Sequence, residues 1–306
     1  MKKFILILII CFFNHFSAQQ KIPVWERGQM PNSKGLKLKI EEEKEGRITQ
    51  IQEAELLAFL PAKEERKKMA VIIIPGGGYH HLTYDLGGYS YAKWLNTLGI
   101  SAFVLNYRLP TSPDLKQKEI GPLQDIQAAI KYIRKNAQQW GISPDQIGVL
   151  GTSAGGHLAA MVSNISTDYT GLKGNWKAIS TIPDFAILVS PVIDFGVFAH
   201  RGSRTNLLGE NISEEKIKEF SMQNRVTAKT PPTILFHAQD DNAVPMMNSV
   251  LYYQAMIKNK VKGAIFIFPE GEHNIGISNK TALTDNWKKL CEDWLKNLSY
   301  FSEYIF

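Results

Sequence analysis

The chain has little cysteine. Of its 306 residues two are cysteines, Cys11 and Cys291, and the first falls in an N-terminal leader. With the leader removed one thiol remains, which excludes an intramolecular disulfide and a thiolate metal site; stability has to come from the core. Long hydrophobic runs are missing as well. The apolar stretch 4–13 follows Lys2 and Lys3 and is too short to cross a bilayer. With Ser17-Ala18 ahead of Gln19 it reads as a secretory signal peptide over 1–18. Ile10 stands where a lipoprotein would carry a small residue before its cysteine. The mature chain, 19–306, is therefore expected to be secreted or periplasmic, without a membrane span. An excess of one charge is also lacking: 35 basic against 29 acidic residues give +6, scattered along the chain. That pattern argues against a nucleic-acid footprint, which would need a clustered patch.

What is present is ordinary globular composition, 44% hydrophobic and 21% charged, at a length that suits one α/β domain over 19–306. Alternation at 37–40 and 47–51 predicts antiparallel strands with one wet face. Beyond Pro61 the pattern changes to continuous apolar runs at 71–74, 102–105, 147–150, 185–189, 233–236 and 264–268. Each suits a strand buried on both faces of a parallel sheet. Leu123, Ile126, Ile130 and Ile133 recur at helical spacing, and residues 89–98 predict a second helix closed by Gly99. Strands alternating with helices predict a mostly parallel sheet covered on both faces. Residues 194–232 break the rhythm with Gly202, Gly209, Pro231-Pro232 and a polar helix over 213–220 capped by Ser213. A connection of that length is expected to form a small cap over the active site.

The chemistry centres on Gly151-Thr152-Ser153-Ala154-Gly155, between the apolar run 147–150 and a helix start at 156–161. A serine between two glycines at a strand-to-helix turn is the nucleophile-elbow pattern, in which the turn is tight enough to require glycine on both sides. A serine hydroxyl needs a base within hydrogen-bond reach, itself held by an acid. Asp241 opens Asp-x-x-Val-Pro after the 233–236 strand and is the favoured acid; Asp240 competes with it and otherwise serves as a turn acceptor. Of seven histidines, His273 follows the last strand and suits the base. His15 leaves with the leader, His157 packs in the elbow helix, His237 precedes the acid as a structural donor, and His200 lies in the 194–232 insertion. The glycine loop 76–78 after the 71–74 strand fits neither phosphate-binding glycine pattern. Its backbone N–H groups, with that of Ala154, suit an oxyanion hole. Tyr79, His80, His81 and Asn274 are candidates for lining a sugar pocket. Arg201 and Arg204 would either meet a carboxylated substrate or pin a loop. No metal or cofactor is implied.

On these residues the chain resembles the α/β-hydrolase esterases, in particular the secreted carbohydrate-esterase branch with acetyl-xylan and feruloyl esterases. The resemblance runs over 71–295 and includes Asn106-Tyr107-Arg108-Leu109, Pro122-Leu123-Gln124-Asp125, 140–145 and 202–209. It implies a Ser153–His273–Asp241 triad, oxyanion donors at Gly77, Gly78 and Ala154, and an acylated carbohydrate or small ester as substrate. Thr152 stands where the branch usually has Phe, and Asn274 where it has Gly; both are expected to alter the pocket wall. A general short-chain carboxylesterase, a peptidase and a catalytically dead binding scaffold are the competing readings.

Overall fold

The computed structural model describes residues 20–302, apart from 27, 40, 41, 44, 45 and 276–281. The expected signal peptide, 1–18, lies outside the described residues. Eight strands form one sheet: β1 (Gln20–Pro23), β2 (Glu55–Phe59), β3 (Ala70–Ile74), β4 (Ser101–Asn106), β5 (Ile147–Thr152), β6 (Ala186–Val189), β7 (Thr233–Ala238) and β8 (Gly263–Phe268). Their spatial order is β1-β2-β4-β3-β5-β6-β7-β8. The first two pairings, β1 with β2 and β2 with β4, are antiparallel and the rest parallel. The chain enters the parallel part at β3, steps outward to β4 and returns to β5. That reversal opens a crevice at the carboxyl ends of β3 and β5, where ligands bind in open α/β sheets.

Burial follows from the pleat. In β3, Ile72 and Ile74 face one layer of core and Val71 and Ile73 the other, all without exposed surface. Helices α2 (Gly121–Lys135), α3 (Ala154–Asn164) and α6 (Met247–Lys258) cover the first face. Helices α1 (Ser90–Thr97) and α7 (Ala282–Ser302) cover the second through Tyr91, Leu95, Trp287 and Cys291. Each buried aliphatic or aromatic side chain contributes roughly 1.5–3 kcal/mol. Leu123, Ile126, Ile130 and Ile133 are fully buried on α2, as their spacing predicts. The motifs around Arg108 and Asp125 also find a reason: the two form a buried ion pair at 2.7 Å, and Trp25 Nε1 donates to the same carboxylate at 2.8 Å. Cutting one partner from such a pair costs about 3–5 kcal/mol.

Three expectations need correction. Of the strand expected at 37–40, residue 40 lies outside the described residues and 37–39 form no strand: Leu38 N–H donates to the Gln52 side chain, whose Nε2 donates to Leu36 O, and not to a neighbouring strand. Of 47–51 only Arg47–Ile48 is extended, in a small antiparallel sheet with Glu42–Glu43 and Leu82–Thr83. The antiparallel edge of the main sheet is β1 with β2 instead. Finally, β8 is an edge strand with half-exposed residues, since β7 is its one neighbour. Within 194–232 lie α4 (Arg201–Leu208) and α5 (Glu214–Glu219), the latter with Ser213 as N-cap; α4 has no counterpart in the sequence reading. No helix among the described residues is long and apolar enough to cross a membrane.

Candidate active site

Ser153 stands between β5 and α3 at φ 54° and ψ −124°, a conformation that costs a non-glycine residue about 1–3 kcal/mol. The surrounding backbone enforces it: Ser153 N–H donates to Val189 O, and Val192 and His157 N–H donate to Ser153 O. The flanking glycines are required by contact. A Cβ on Gly151 would lie 2.3 Å from Gly155 O, and one on Gly155 would lie 2.1 Å from Ile74 O.

His273 and Asp241 meet the serine from two other loops. His273 Nε2 lies 3.0 Å from Ser153 Oγ, and Nδ1 lies 2.7 Å from Asp241 Oδ2. Because the carboxylate accepts, Nδ1 carries the proton and Nε2 is left to accept from the hydroxyl. Asp241 is fully paired. Ala243 and Val244 N–H donate to Oδ1 at 3.0 and 2.8 Å, while Oδ2 receives His273 Nδ1–H and His237 Nε2–H, the latter at 3.2 Å. His237 has its proton on Nε2, since that nitrogen also meets Val244 O at 2.8 Å, and its Nδ1 takes the Ser249 hydroxyl. Burial raises the Asp241 pKa, but these hydrogen bonds, and the charge His273 takes up when protonated, overcome it and hold the carboxyl well below the usual carboxylate range. Asp240, the competing carboxylate, instead accepts from Glu272 N–H at 2.8 Å and so anchors the loop that carries His273.

The glycine loop after β3 faces the serine. Gly77 and Gly78 have φ of 129° and 62°, and a Cβ on Gly77 would lie 2.0 Å from His81 O. Gly76 N–H donates to Thr152 Oγ1 at 3.1 Å, Asn206 Nδ2 donates to Gly78 O at 2.8 Å, and Tyr107 Oη donates to Pro75 O at 3.0 Å. Ala154 N–H belongs to the first turn of α3, where N–H groups have no acceptor within the helix. Thr152 thus binds the glycine loop from a buried position, where the sequence suggested an altered pocket wall.

Tyr79 corrects a second expectation. It has no exposed surface, and its hydroxyl lies 2.9 Å from His157 Nδ1, so it cannot line a sugar pocket. His157 Nε2–H donates to Phe220 O at 2.8 Å, and its ring stacks on Phe195. Burial lowers the His157 pKa to about 4 against the pull of the Phe220 carbonyl, so the ring is neutral near neutral pH. His80 is exposed and His81 half-buried, with their rings edge to face. Asn274 shares the turn Glu272–Asn274 with His273; its side chain lies outside what is described. Arg204 donates to Phe195 O and pins its own loop, while Arg201 is exposed. Asn248 had no signal in the sequence. Fully buried on α6, it accepts from Ile193 and Asp194 N–H and donates to Phe198 O and Pro245 O, tying the start of the 194–232 segment to the end of the acid loop. Among the described residues no group of three or more His, Cys, Asp or Glu could hold a metal ion.

The sheet order, the strained serine at the end of β5 and the Ser–His–Asp line at the crevice define an α/β hydrolase. Within that class the chain belongs to the BD-FAE family, which it matches over residues 56–256. It is 34% identical over 250 residues to an acetylxylan esterase of Xylanibacter ruminicola, covering 80% of this chain and 48% of that protein. It is 33% identical over 181 residues to endo-1,4-beta-xylanase B of Butyrivibrio fibrisolvens, covering 59% of this chain and 28% of that protein. The chain thus spans about half or less of the length of these curated relatives. An acetyl ester-xyloside bifunctional hydrolase from Caldicellulosiruptor lactoaceticus superposes with a TM-score of 0.79 at 35% identity, covering 92% of this chain and 97% of that one.

Proposed function

We propose that the chain is an exported serine esterase that removes acetyl groups from carbohydrates. The observation that supports this reading most is the continuous line from Asp241 through His273 to Ser153 Oγ, at 2.7 and 3.0 Å, beside the glycine loop. Ser153 Oγ attacks the acetyl carbonyl carbon while His273 Nε2 takes the hydroxyl proton. The carbonyl π pair moves to oxygen, and that oxyanion accepts from the N–H groups of Ala154, Gly77 and Gly78; one such donor is worth about 10²–10³ in rate. The tetrahedral centre collapses, the bond to the sugar oxygen breaks, and His273 returns the proton to it. Water then repeats the sequence on the acetyl-serine and releases acetate. Asp241 stays ionised throughout and steadies the imidazolium.

The 194–232 segment, held to the glycine loop by Asn206 and to the elbow helix by Phe195, would act as the cap and shape the sugar side. The acetylxylan esterase and xyloside-hydrolase relatives support a xylose-based substrate. Export is supported by the 1–18 leader. The test measures acetate release from acetylated xylan alongside hydrolysis of p-nitrophenyl acetate. Release from both is expected. Activity on the aryl ester with none on the polysaccharide or its acetylated oligosaccharides would make the protein a general short-chain carboxylesterase, and inactivity on every ester would overturn the esterase reading.

A further inference from the structure

His200 stands at the start of α4 and beside the glycine loop, and no step of the acyl transfer uses it. Its Nδ1 is committed to α4: it accepts from Ser203 N–H at 3.2 Å and lies 2.8 Å from Ser203 Oγ, with Ser203 itself fully buried. An imidazole that accepts at Nδ1 carries its proton on Nε2 when neutral. The ring flanks the oxyanion loop, with Cε1 3.8 Å from where a Cβ would sit on Gly78. Farther along the same helix, Asn206 grips Gly78 O, so α4 meets that loop at two points. The residue is half-buried, and no described residue accepts from its Nε2. Burial and the positive charge that His273 takes up on protonation lower its pKa, with Asp241 pulling the other way. At neutral pH it therefore presents a fixed, uncharged N–H donor at the site.

An acetyl group offers such a donor nothing to bind. Its carbonyl oxygen is taken by the backbone N–H groups, and the rest is a methyl. An acceptor for His200 has to come from the alcohol half of the ester, where a sugar carries oxygens beside the acetylated one. We propose that His200 is a substrate-positioning residue whose Nε2–H donates to a sugar oxygen next to the acetylated position. It thereby makes the site selective for polyhydroxylated alcohols over simple ones. This inference rests on the carbohydrate-esterase reading above.

The experiment compares kcat/KM for an acetylated xylo-oligosaccharide and for p-nitrophenyl acetate in wild type, His200→Asn and His200→Ala. Rates are counted per Ser153 labelled by a fluorophosphonate, so that only correctly folded sites enter. Asn keeps an acceptor for Ser203 N–H, as a good N-cap does, but cannot reach the Nε2 position. Both variants are expected to lower the ratio of sugar to aryl activity by about 10-fold or more, because a site built to bind a hydroxyl discriminates through that bond. An equal loss on both substrates would reduce His200 to a helix cap, and no loss would remove it from the site; either result overturns the proposal. A wild type that cleaves the aryl ester and not the oligosaccharide overturns the carbohydrate reading together with this one. A wild type active on both, with an unchanged ratio in the variants, overturns only the role of His200.

Discussion

On one side of Ser153 stands Asp241, with donors on both carboxylate oxygens from His273, His237, Ala243 and Val244. On the other stands the glycine loop, steadied by Thr152, Asn206 and Tyr107 through bonds that use its carbonyls and the Gly76 N–H. The acid side is built around a permanent charge and spends every lone pair to keep that charge oriented. The glycine side is built from neutral groups, and the N–H groups of Gly77, Gly78 and Ala154 are the ones assigned to the reaction. The contrast has a physical cause. A charge that persists through turnover is best saturated in advance, whereas a charge that exists only in the transition state needs donors already aimed at it. A fixed anion beside those donors would oppose the one that forms.

Substitutions can test that division of labour. Ser153→Ala removes the atom both sides serve and should cut turnover of an acetyl ester by at least about 10³-fold in a folded protein. Near-normal rates would end the triad assignment. Asp241→Asn attacks the charged side alone. It is expected to lose about 10²–10⁴-fold in kcat, because the amide favours the wrong His273 tautomer and cannot balance the imidazolium. Steady-state kinetics that fall by less than 10-fold would mean that the charge is not what the acid side supplies.

Acid should find the glycine side first. His157, which supports Tyr79 from beneath that loop, has its pKa lowered by burial to about 4, whereas in the unfolded chain it takes up a proton near 6.5. The unfolded state therefore binds the extra proton between those values. The contribution of His157 to stability is full above about pH 6.5 and falls by about 3 kcal/mol as the pH drops to 4. Asp241 is held below the normal carboxylate range, so its contribution persists until the pH falls further. Denaturant unfolding of wild type and His157→Gln across this window checks the assignment: a pH slope that survives in the variant would place the acid lability elsewhere. Asn206→Ala breaks one neutral bond on the glycine loop, a loss of about 1 kcal/mol, and should lower kcat by roughly 5- to 10-fold with little change in KM. The smallest effect is expected from Asp240→Asn, which keeps an oxygen for Glu272 N–H and should change kcat by less than about 3-fold. A loss as large as that of Asp241→Asn would transfer the acid role to Asp240.

The amino-acid sequence by itself determined the parallel strands and the elbow. Runs such as 71–74 and 147–150 allow little but burial on two faces, and Gly151 and Gly155 mark a turn in which a Cβ would collide with backbone. Those signals are local, so they survive without the rest of the molecule. The antiparallel β1 and β2 were not legible for the opposite reason. Residues 20–23 carry one buried side chain, Ile22, and 56–59 is an apolar run like those of the parallel strands, so what makes the two an antiparallel edge is their pairing with each other and with β4. Tertiary structure alone decided the environment of each site residue. Tyr79 is followed by two histidines in a glycine-rich loop and reads as sugar-facing, but packing turns it inward onto His157, some eighty residues away. Asn206 lies in the 202–209 stretch that carries the resemblance, but nothing there marks its side chain, and Asn248 carries no motif at all; both satisfy carbonyl or N–H groups on loops that meet only when the sheet closes. Sequence specifies which groups can do chemistry; the reach between distant loops decides which of them are brought within 3 Å of one another.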